Sequence, residues 1–268
     1  GITYTNIVSK DKEPVAEFGQ MISRSRRIED GMSKGVNFLM KKNKITVIEG
    51  YGRLARGKKV VVTDKDGKKA EYSAEHIIIA TGGRAKELPN IKIDGKKIIG
   101  YREAMTLPVQ PKKMVVVGAG AIGVEFAYFY NTIGTEITVV EFMEQGLLPR
   151  EDADISKELT KVYKKAGMKI LANSSVEKIE MTDEGCNVIV KNRKDESVQT
   201  ITCDIVLSAA GVTPNTEDIG LEVLGIETDR GMIKVDAYYR TNLPGIYAIG
   251  DVIPTQALAH VASAEGIT

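Results

Sequence analysis

The stretch that decides the fold is Met114-Val115-Val116-Val117-Gly118-Ala119-Gly120-Ala121-Ile122-Gly123-Val124-Glu125. An apolar run enters G-x-G-x-x-G, and a helix-like segment follows over residues 121–133. A second apolar run, Thr138-Val139-Val140, ends on the acid Glu141 about twenty residues further on. Strand, glycine turn, helix, strand and terminal acid in this order are the pattern of a dinucleotide-binding βαβ unit. An ordinary strand–turn–helix is the plain alternative.

Each position in the pattern has a physical task. Gly118 permits the tight turn off the strand. Gly120 leaves room for a pyrophosphate to approach the backbone, and Gly123 lets the helix pack close to the sheet. The N–H groups that open the helix, at Ala121 and Ile122, have no partner one turn earlier, so they and the helix dipole favour an anion. Glu141 is placed to accept hydrogen bonds from the adenosine ribose hydroxyls. A 2′-phosphate would meet that carboxylate, and Phe142-Met143-Glu144 offers no arginine to neutralise it. The site is therefore expected to prefer NAD over NADP.

Composition narrows the class. The 268 residues suffice for two domains. Basic and acidic residues nearly balance, 37 against 36, which gives no sign of a nucleic-acid or membrane partner. No apolar run is long enough for a membrane-spanning helix. Cys186 and Cys203 match no metal or redox spacing and read as small buried residues, which fits a reducing cytoplasm. With only His76 and His260, a histidine-based metal site or a Ser-His-Asp triad is not expected.

Outward from the glycine turn, a helical pattern covers Pro14–Lys42, where Gly31 and Gly35 are candidate bend points. The cluster Arg24, Arg26, Arg27 reads as a solvated helix face. The run Gly1–Asn6 reads as the end of a strand or loop. Strand-like runs follow at Ile45–Gly50, Lys59–Thr63, Ala70–Ser73 and His76–Thr81, with a hairpin signal at Asp64-Lys65-Asp66-Gly67. Pro89, Pro108 and Pro111 mark a domain crossing. Beyond Glu141 the pattern predicts a helix over Asp152–Ala166 closed by Gly167, and a short strand at Met168–Leu171. An antiparallel set is predicted from Ser175–Met181, Cys186–Lys191 and Thr200–Val206. The strand Ile246–Ile249 and a helix from near Ala257 complete the chain.

Three further signatures accompany Gly118–Glu141: HIIIATGG at His76–Gly83, VLSAAGVTPN at Val206–Asn215 and RTNLPGIYAIGD at Arg240–Asp251. Together they resemble the FAD-dependent pyridine nucleotide–disulfide oxidoreductases, most closely the dihydrolipoamide dehydrogenase branch. The resemblance covers essentially the whole chain. It implies an α/β fold of two Rossmann-like, three-layer domains, the NAD domain inserted into an incomplete FAD domain. The implied division is 1–109 for the first FAD part, 110–243 for NAD and 244–268 for the returning FAD part.

The resemblance also implies roles. FAD and NAD are the cofactors. Asp251 is similar to the acid that binds the FAD ribitol chain, and Ala259 to a backbone contact at the flavin, where the following helix aims its N-terminus. Gly52, Thr81 and Gly82 resemble contacts near the FAD adenine half; Val176 and Gly211 resemble contacts in the NAD site. Glu125 corresponds to an acid pointing at the flavin–nicotinamide junction, where a lysine partners it; a solvated helix glutamate is the plain alternative. Ala121 sits where relatives carry a larger residue gating the nicotinamide pocket. Val212 departs from the usual arginine. His260 reads as structural or as a backbone contact, and Gly250-Asp251 alone would be a simple turn.

By the same resemblance, another G-x-G-x-x-G, the redox-active cysteines and the lysine for Glu125 are expected before residue 1. The interface domain with its His–Glu pair is expected after Thr268. The chain is thus expected to be a central portion. It should bind NAD, bind FAD weakly or not at all, expose apolar surface or strand edges in its FAD half, and turn over no lipoamide alone. For the whole protein the resemblance implies a homodimer that serves the dihydrolipoyl domain of a 2-oxoacid dehydrogenase complex. Another disulfide reductase, an NADH oxidase and a non-catalytic nucleotide-binding module are the competing readings.

Overall fold

The structure, a computed structural model, describes residues 7–10 and 13–268. The run Gly1–Asn6 lies outside the described residues. Elements follow in chain order. A hairpin of β1 (Ile7–Lys10) and β2 (Glu13–Ala16) precedes helix α1 (Phe18–Lys42). Strands β3 (Tyr51–Ala55), β4 (Lys59–Thr63), β5 (Lys69–Ser73), β6 (Ile77–Ile79), β7 (Gly83–Ala85) and β8 (Ile98–Ile99) come next. Helix α2 (Tyr101–Ala104), β9 (Lys113–Val117), α3 (Ala121–Thr132), β10 (Glu136–Val140), α4 (Ala153–Lys165) and β11 (Lys169–Leu171) form the central alternation. Strands β12 (Ser174–Met181), β13 (Cys186–Asn192), β14 (Val198–Cys203), β15 (Ile205–Ser208) and β16 (Val212–Pro214) lead to the short helix α5 (Leu221–Leu224). Finally come β17 (Thr228–Asp229), β18 (Met232–Ile233), β19 (Ile246–Ala248) and helix α6 (Ala259–Ile267).

The chain divides into two compact units. One contains Ala85–Gly211 together with α1 as far as Phe38; the other joins Leu39–Arg84 to Val212–Thr268. These divisions fall at 84/85 and 211/212, against the sequence-based boundaries of 109/110 and 243/244.

The first unit is built on a five-stranded parallel sheet in the order β11-β10-β9-β15-β8. Its central strand β9 sends alternate side chains to two cores. Met114 and Val116 join α3, α4 and the buried Tyr130 on one face. Val115 and Val117 pack with Val188, Val190 and Cys203 of the three-stranded sheet β12-β13-β14 on the other. A strand covered on both faces must be apolar at every position, which is why 114–117 reads as an unbroken hydrophobic run. Helices on one face and an antiparallel sheet on the other give three layers, so the expected α/β class holds.

The second unit has a core of Leu54, Ile77, Ile79, Ile219, Leu221, Ile246, Ala248 and Val252 with their neighbours. There β19 pairs in parallel with β6, and β3-β4-β5 form an antiparallel sheet. The Asp64–Gly67 turn forms as expected: the Asp64 carboxylate accepts the N–H groups of Asp66 and Lys68.

Three expected elements are corrected. The helix expected from Pro14 starts at Phe18, because Glu13–Ala16 pairs with Ile7–Lys10. Gly31 and Gly35 lie inside that one helix. The strand expected at Ile45–Gly50 is displaced to Tyr51–Ala55. Residues 45–49 have no pairing strand among the described residues, and Ile45, Val47 and Ile48 are exposed. Alternation alone cannot make a strand without a ladder partner. The strand expected at Thr200–Val206 splits at Asp204 into β14 and β15, which join different sheets. The cause is the Asp204 carboxylate, whose Oδ2 accepts the N–H groups of Lys112 (2.7 Å) and Lys113 (2.8 Å) at the head of β9.

Apolar side chains are exposed on α1: Met32, Val36, Phe38 and Leu39 are at least half accessible. Ile78 on the β6–β19 pair is also exposed. At the other extreme, Tyr130 is fully buried and its hydroxyl donates to the Ala104 carbonyl at 2.6 Å. Burial pushes its phenol up to about 12. A raised folded value favours the protonated form, so this contribution is complete below the ordinary value near 10 and is lost as pH rises towards 12. We therefore expect the urea midpoint to fall over that alkaline interval. The fall should be smaller in Tyr130→Phe, when both proteins are followed by circular dichroism.

Candidate functional site

The first constellation gathers at the carboxyl end of β9, where ligands of open α/β sheets bind. The chain leaves Val117 through Gly118 at φ +100°, and the Gly118 N–H donates to the Val140 carbonyl at 2.9 Å. A Cβ on Gly118 would stand 2.5 Å from the Ala209 carbonyl oxygen, so both conformation and space demand glycine. A Cβ on Gly123 would stand 2.0 Å from the Gly118 carbonyl oxygen, which fixes how closely α3 enters the turn. Gly120 differs: its φ is −70°, and no atom lies within 4 Å of where its Cβ would be. Two of the three glycines thus serve the protein's own packing. Gly120 alone borders open space, as a ligand cradle requires.

Helix α3 begins at Ala121 with Gly120 as N-cap, and no side chain caps it. Its opening N–H groups at Ala121 and Ile122 have no intrahelical acceptor one turn earlier. Glu141, at the end of β10, is only 6% exposed. Its Oε2 accepts the Ala119 N–H at 2.6 Å, and its Oε1 accepts the Met143 N–H at 2.8 Å. The Ala119 carbonyl in turn accepts the Leu148 N–H at 2.8 Å. The acid is therefore joined to the middle of the glycine turn. Each carboxylate oxygen keeps further acceptor capacity.

The other residues expected here are placed as follows. Gly211 has φ +118° and its carbonyl accepts the Lys86 N–H; it closes the segment Ala209–Ala210 that abuts Gly118. Val176 is in the core under the antiparallel sheet, and its carbonyl accepts from the Asn90 amide. Glu125 is exposed on α3, one turn beyond the glycines. No ion pair forms on it among the described residues.

A second constellation lies in the other unit. Because β6 and β19 run parallel, their carboxyl ends bring Thr81-Gly82-Gly83 beside Gly250-Asp251. A Cβ on Gly83 would lie 3.3 Å from Asp251 Oδ2 and 2.5 Å from Val212 Cγ1, so the carboxylate rests directly over this glycine. Thr81 Oγ1 donates to the Asn215 carbonyl at 2.6 Å, and the Asn215 N–H donates to the Gly82 carbonyl at 2.8 Å. Ala259 is the first residue of α6, whose N-terminus carries no side-chain cap. His260 follows it, exposed. Gly52 is placed in a different sheet, in β3 opposite Val62.

Sequence reasoning missed two contributors. Arg193, from the turn between β13 and β14, stacks 3.7 Å above the Phe142 ring and donates to the Phe142 carbonyl at 3.0 Å. The arginine that the local sequence lacks beside Glu141 thus arrives from 51 residues along the chain from Phe142. It also donates to Asn173 Oδ1. Only the hairpin register brings it there, so no local signal announces it. The second is Glu265 of α6, buried to 3% exposure, whose Oε2 accepts the Gly250 N–H at 2.7 Å. It holds the backbone immediately before Asp251.

The model of the pyridine nucleotide-disulphide oxidoreductase family matches residues 2–266. The dihydrolipoyl dehydrogenase of Zymomonas mobilis is 41% identical over 255 residues, which is 95% of this chain and 54% of that protein. The one from Mycobacterium tuberculosis is 42% identical over 256 residues, again 95% and 54%. Among solved structures, LpdA of Mycobacterium tuberculosis superposes with a TM-score of 0.84 at 30% identity, covering 92% of this chain and 54% of that one. The HOCl-induced flavoprotein disulfide reductase RclA of Escherichia coli, solved as a Cu(II) complex, gives 0.78 at 27%, covering 92% and 55%. The fold is that of the disulfide reductases. The chain belongs to the pyridine nucleotide-disulphide oxidoreductase family, whose dihydrolipoyl dehydrogenase members use FAD and NAD. It spans about half the length of the curated relatives it matches. No helix among the described residues is long and apolar enough to cross a membrane.

The two kinds of glycine can be separated by experiment. Gly118→Ala, with a strained φ and a backbone clash, should lower unfolding free energy by about 2 kcal/mol or more. Gly120→Ala should leave it within about 0.5 kcal/mol. Urea denaturation of the two variants checks this directly.

Proposed function

We propose that this chain supplies the nicotinamide- and flavin-binding portion of a dihydrolipoyl dehydrogenase-type oxidoreductase. The carrying observation is the glycine turn with Gly120 open to space and Glu141 bonded to Ala119 at its base. In this reading Gly118, Gly120 and Gly123 shape the cradle for the NAD diphosphate. Ala121 and Ile122 offer their N–H groups to it, and Glu141 takes the adenosine ribose. Gly211 and Val176 contribute backbone to the same site. Glu125, one turn along α3, is exposed towards solvent and is the acid we assign to the hydride-transfer side.

The flavin contacts are assigned to Asp251, Thr81, Gly82, Ala259 and Gly52. Asp251 rests over Gly83 at two strand ends, and the uncapped start of α6 favours negative charge nearby. FAD, when bound, supplies the step between a dithiol and the nicotinamide that amino-acid side chains cannot. The rest is binding, orientation and electrostatics by the protein. We assign NAD to residues 110–243 and FAD to the flanking regions 1–109 and 244–268. The dihydrolipoyl domain of a 2-oxoacid dehydrogenase complex is the proposed partner of the whole protein, acting as a homodimer. Turnover of lipoamide by this chain alone is not expected, because neither cysteine lies in the glycine-turn or Asp251 constellations.

Arg193 bears on the choice of nucleotide. Its guanidinium is already committed to Phe142 and Asn173, so Glu141 remains the group a 2′-phosphate would face. Calorimetric titration with NADH and NADPH tests this. We expect NADH to bind at least about tenfold more tightly, a difference of about 1.4 kcal/mol. Gly120→Val should abolish binding of both, and Glu141→Gln should narrow the preference. Equal affinity of the unaltered chain for the two nucleotides, or undiminished binding by Gly120→Val, would overturn the proposal.

A further inference from the structure

Two cysteines that look unremarkable in sequence are brought face to face. Cys186 opens β13 and Cys203 closes β14, and the antiparallel register makes them direct partners. Directly opposed residues of such a ladder have Cα atoms ~4.5–5.5 Å apart. That lies inside the ~4.4–6.8 Å range that a disulfide spans. Both are free thiols, buried in the same apolar cluster. Cys186 Sγ also lies 3.7 Å from Met181 Sδ. Two cysteines serving only as apolar filler have no need of this mutual register.

The surroundings add a route and a charge. Cys203 lines a cavity of about 370 Å³, open to solvent and bordered by Met114, Thr200, Thr202, Lys113 and Lys169. Cys203 is 3% exposed, so a small molecule, not a protein, is what can approach it. Interaction with Cys203 and, against the opposing effect of burial, the nearby Lys97 ammonium hold the Cys186 thiol below its ordinary value. Interaction with Cys186 and burial push Cys203 up.

We propose that Cys186 and Cys203 are a modification site: a dithiol that a small hydroperoxide entering the cavity oxidises reversibly to a disulfide. In the first step Cys203 Sγ attacks the terminal oxygen of the hydroperoxide as it releases its S–H proton. The O–O bond breaks, an S–O bond forms, and the departing alkoxide (hydroxide from hydrogen peroxide) takes the proton that Cys203 releases. In the second step the Cys186 sulfur attacks the Cys203 sulfenic sulfur. The S–S bond forms, and the hydroxyl leaves as water with the proton from Cys186. The pair loses two electrons, and the peroxide oxygens gain them. Because Cys203 packs in one buried cluster with Val115, three residues before Gly118, the oxidation occurs beneath the strand that bears the glycine turn.

The test treats the purified chain with hydrogen peroxide, alkylates it under denaturing conditions and maps peptides without reduction. The expected product is one linked pair containing Cys186 and Cys203, lighter by two hydrogens and restored to two thiols by dithiothreitol. Recovery of both as free thiols, or of separate sulfinic and sulfonic acids without a linked peptide, overturns the proposal. In Cys186→Ser, Cys203 should stop at sulfenic acid and be trapped by dimedone; absence of the adduct in a folded variant overturns the assigned order of attack. If that variant does not fold, the peptide map of the unaltered chain still decides. Neither measurement involves nucleotide, so the result is independent of the proposed function.

Discussion

The hydrogen bond from Ala119 N–H to Glu141 Oε2 is the contact on which the first unit's architecture converges. It joins the turn after β9 to the end of β10, and the Gly118 N–H to Val140 carbonyl bond runs beside it. A carboxylate at 6% exposure is costly unless its oxygens are satisfied, and here two backbone donors satisfy them. The Ala119 bond ties the turn to the end of β10. The acid is thus structural before any ligand arrives. A nucleotide sugar would add to its bonds instead of creating its orientation. Preorganisation of this kind removes the cost of ordering the group at the moment of binding.

Asp204 performs the corresponding task at the other end of β9. By accepting the N–H groups of Lys112 and Lys113 it ends one strand and starts another within two residues. Without that turn, β14 would continue in the antiparallel sheet and the slot beside β9 would lack β15. One carboxylate at each end of the central strand therefore fixes its neighbours. Glu265 repeats the device in the second unit, where it holds Gly250 N–H and so places Asp251.

The features legible in the sequence were those written locally. The βαβ unit could be read because Gly118, Gly120, Gly123 and Glu141 have roles set by near neighbours. The Asp64–Gly67 hairpin, the Asp152–Ala166 helix and the run Ile246–Ile249 were legible for the same reason. What escaped was set by pairing across long separations. Ile45–Gly50 alternates like a strand but finds no ladder. Thr200–Val206 reads as one strand because nothing in its own residues reveals that Asp204 will seize β9. Arg193 reaches Phe142, and Cys186 meets Cys203, only through the register of β12, β13 and β14. Periodicity specifies a face; it does not specify a partner.

The alternation of β9 between two cores has a last implication, for mutational tolerance. Met114 and Val116 belong to one buried cluster and Val115 and Val117 to the other. A strand with one wet face can drift at every second residue, but this one has no such latitude. Any polar replacement across these four positions desolvates a group against one layer or the other. The glycine turn is therefore anchored by the least substitutable segment of the chain, and variation between homologues at the mouth of the site should accumulate in the surrounding loops.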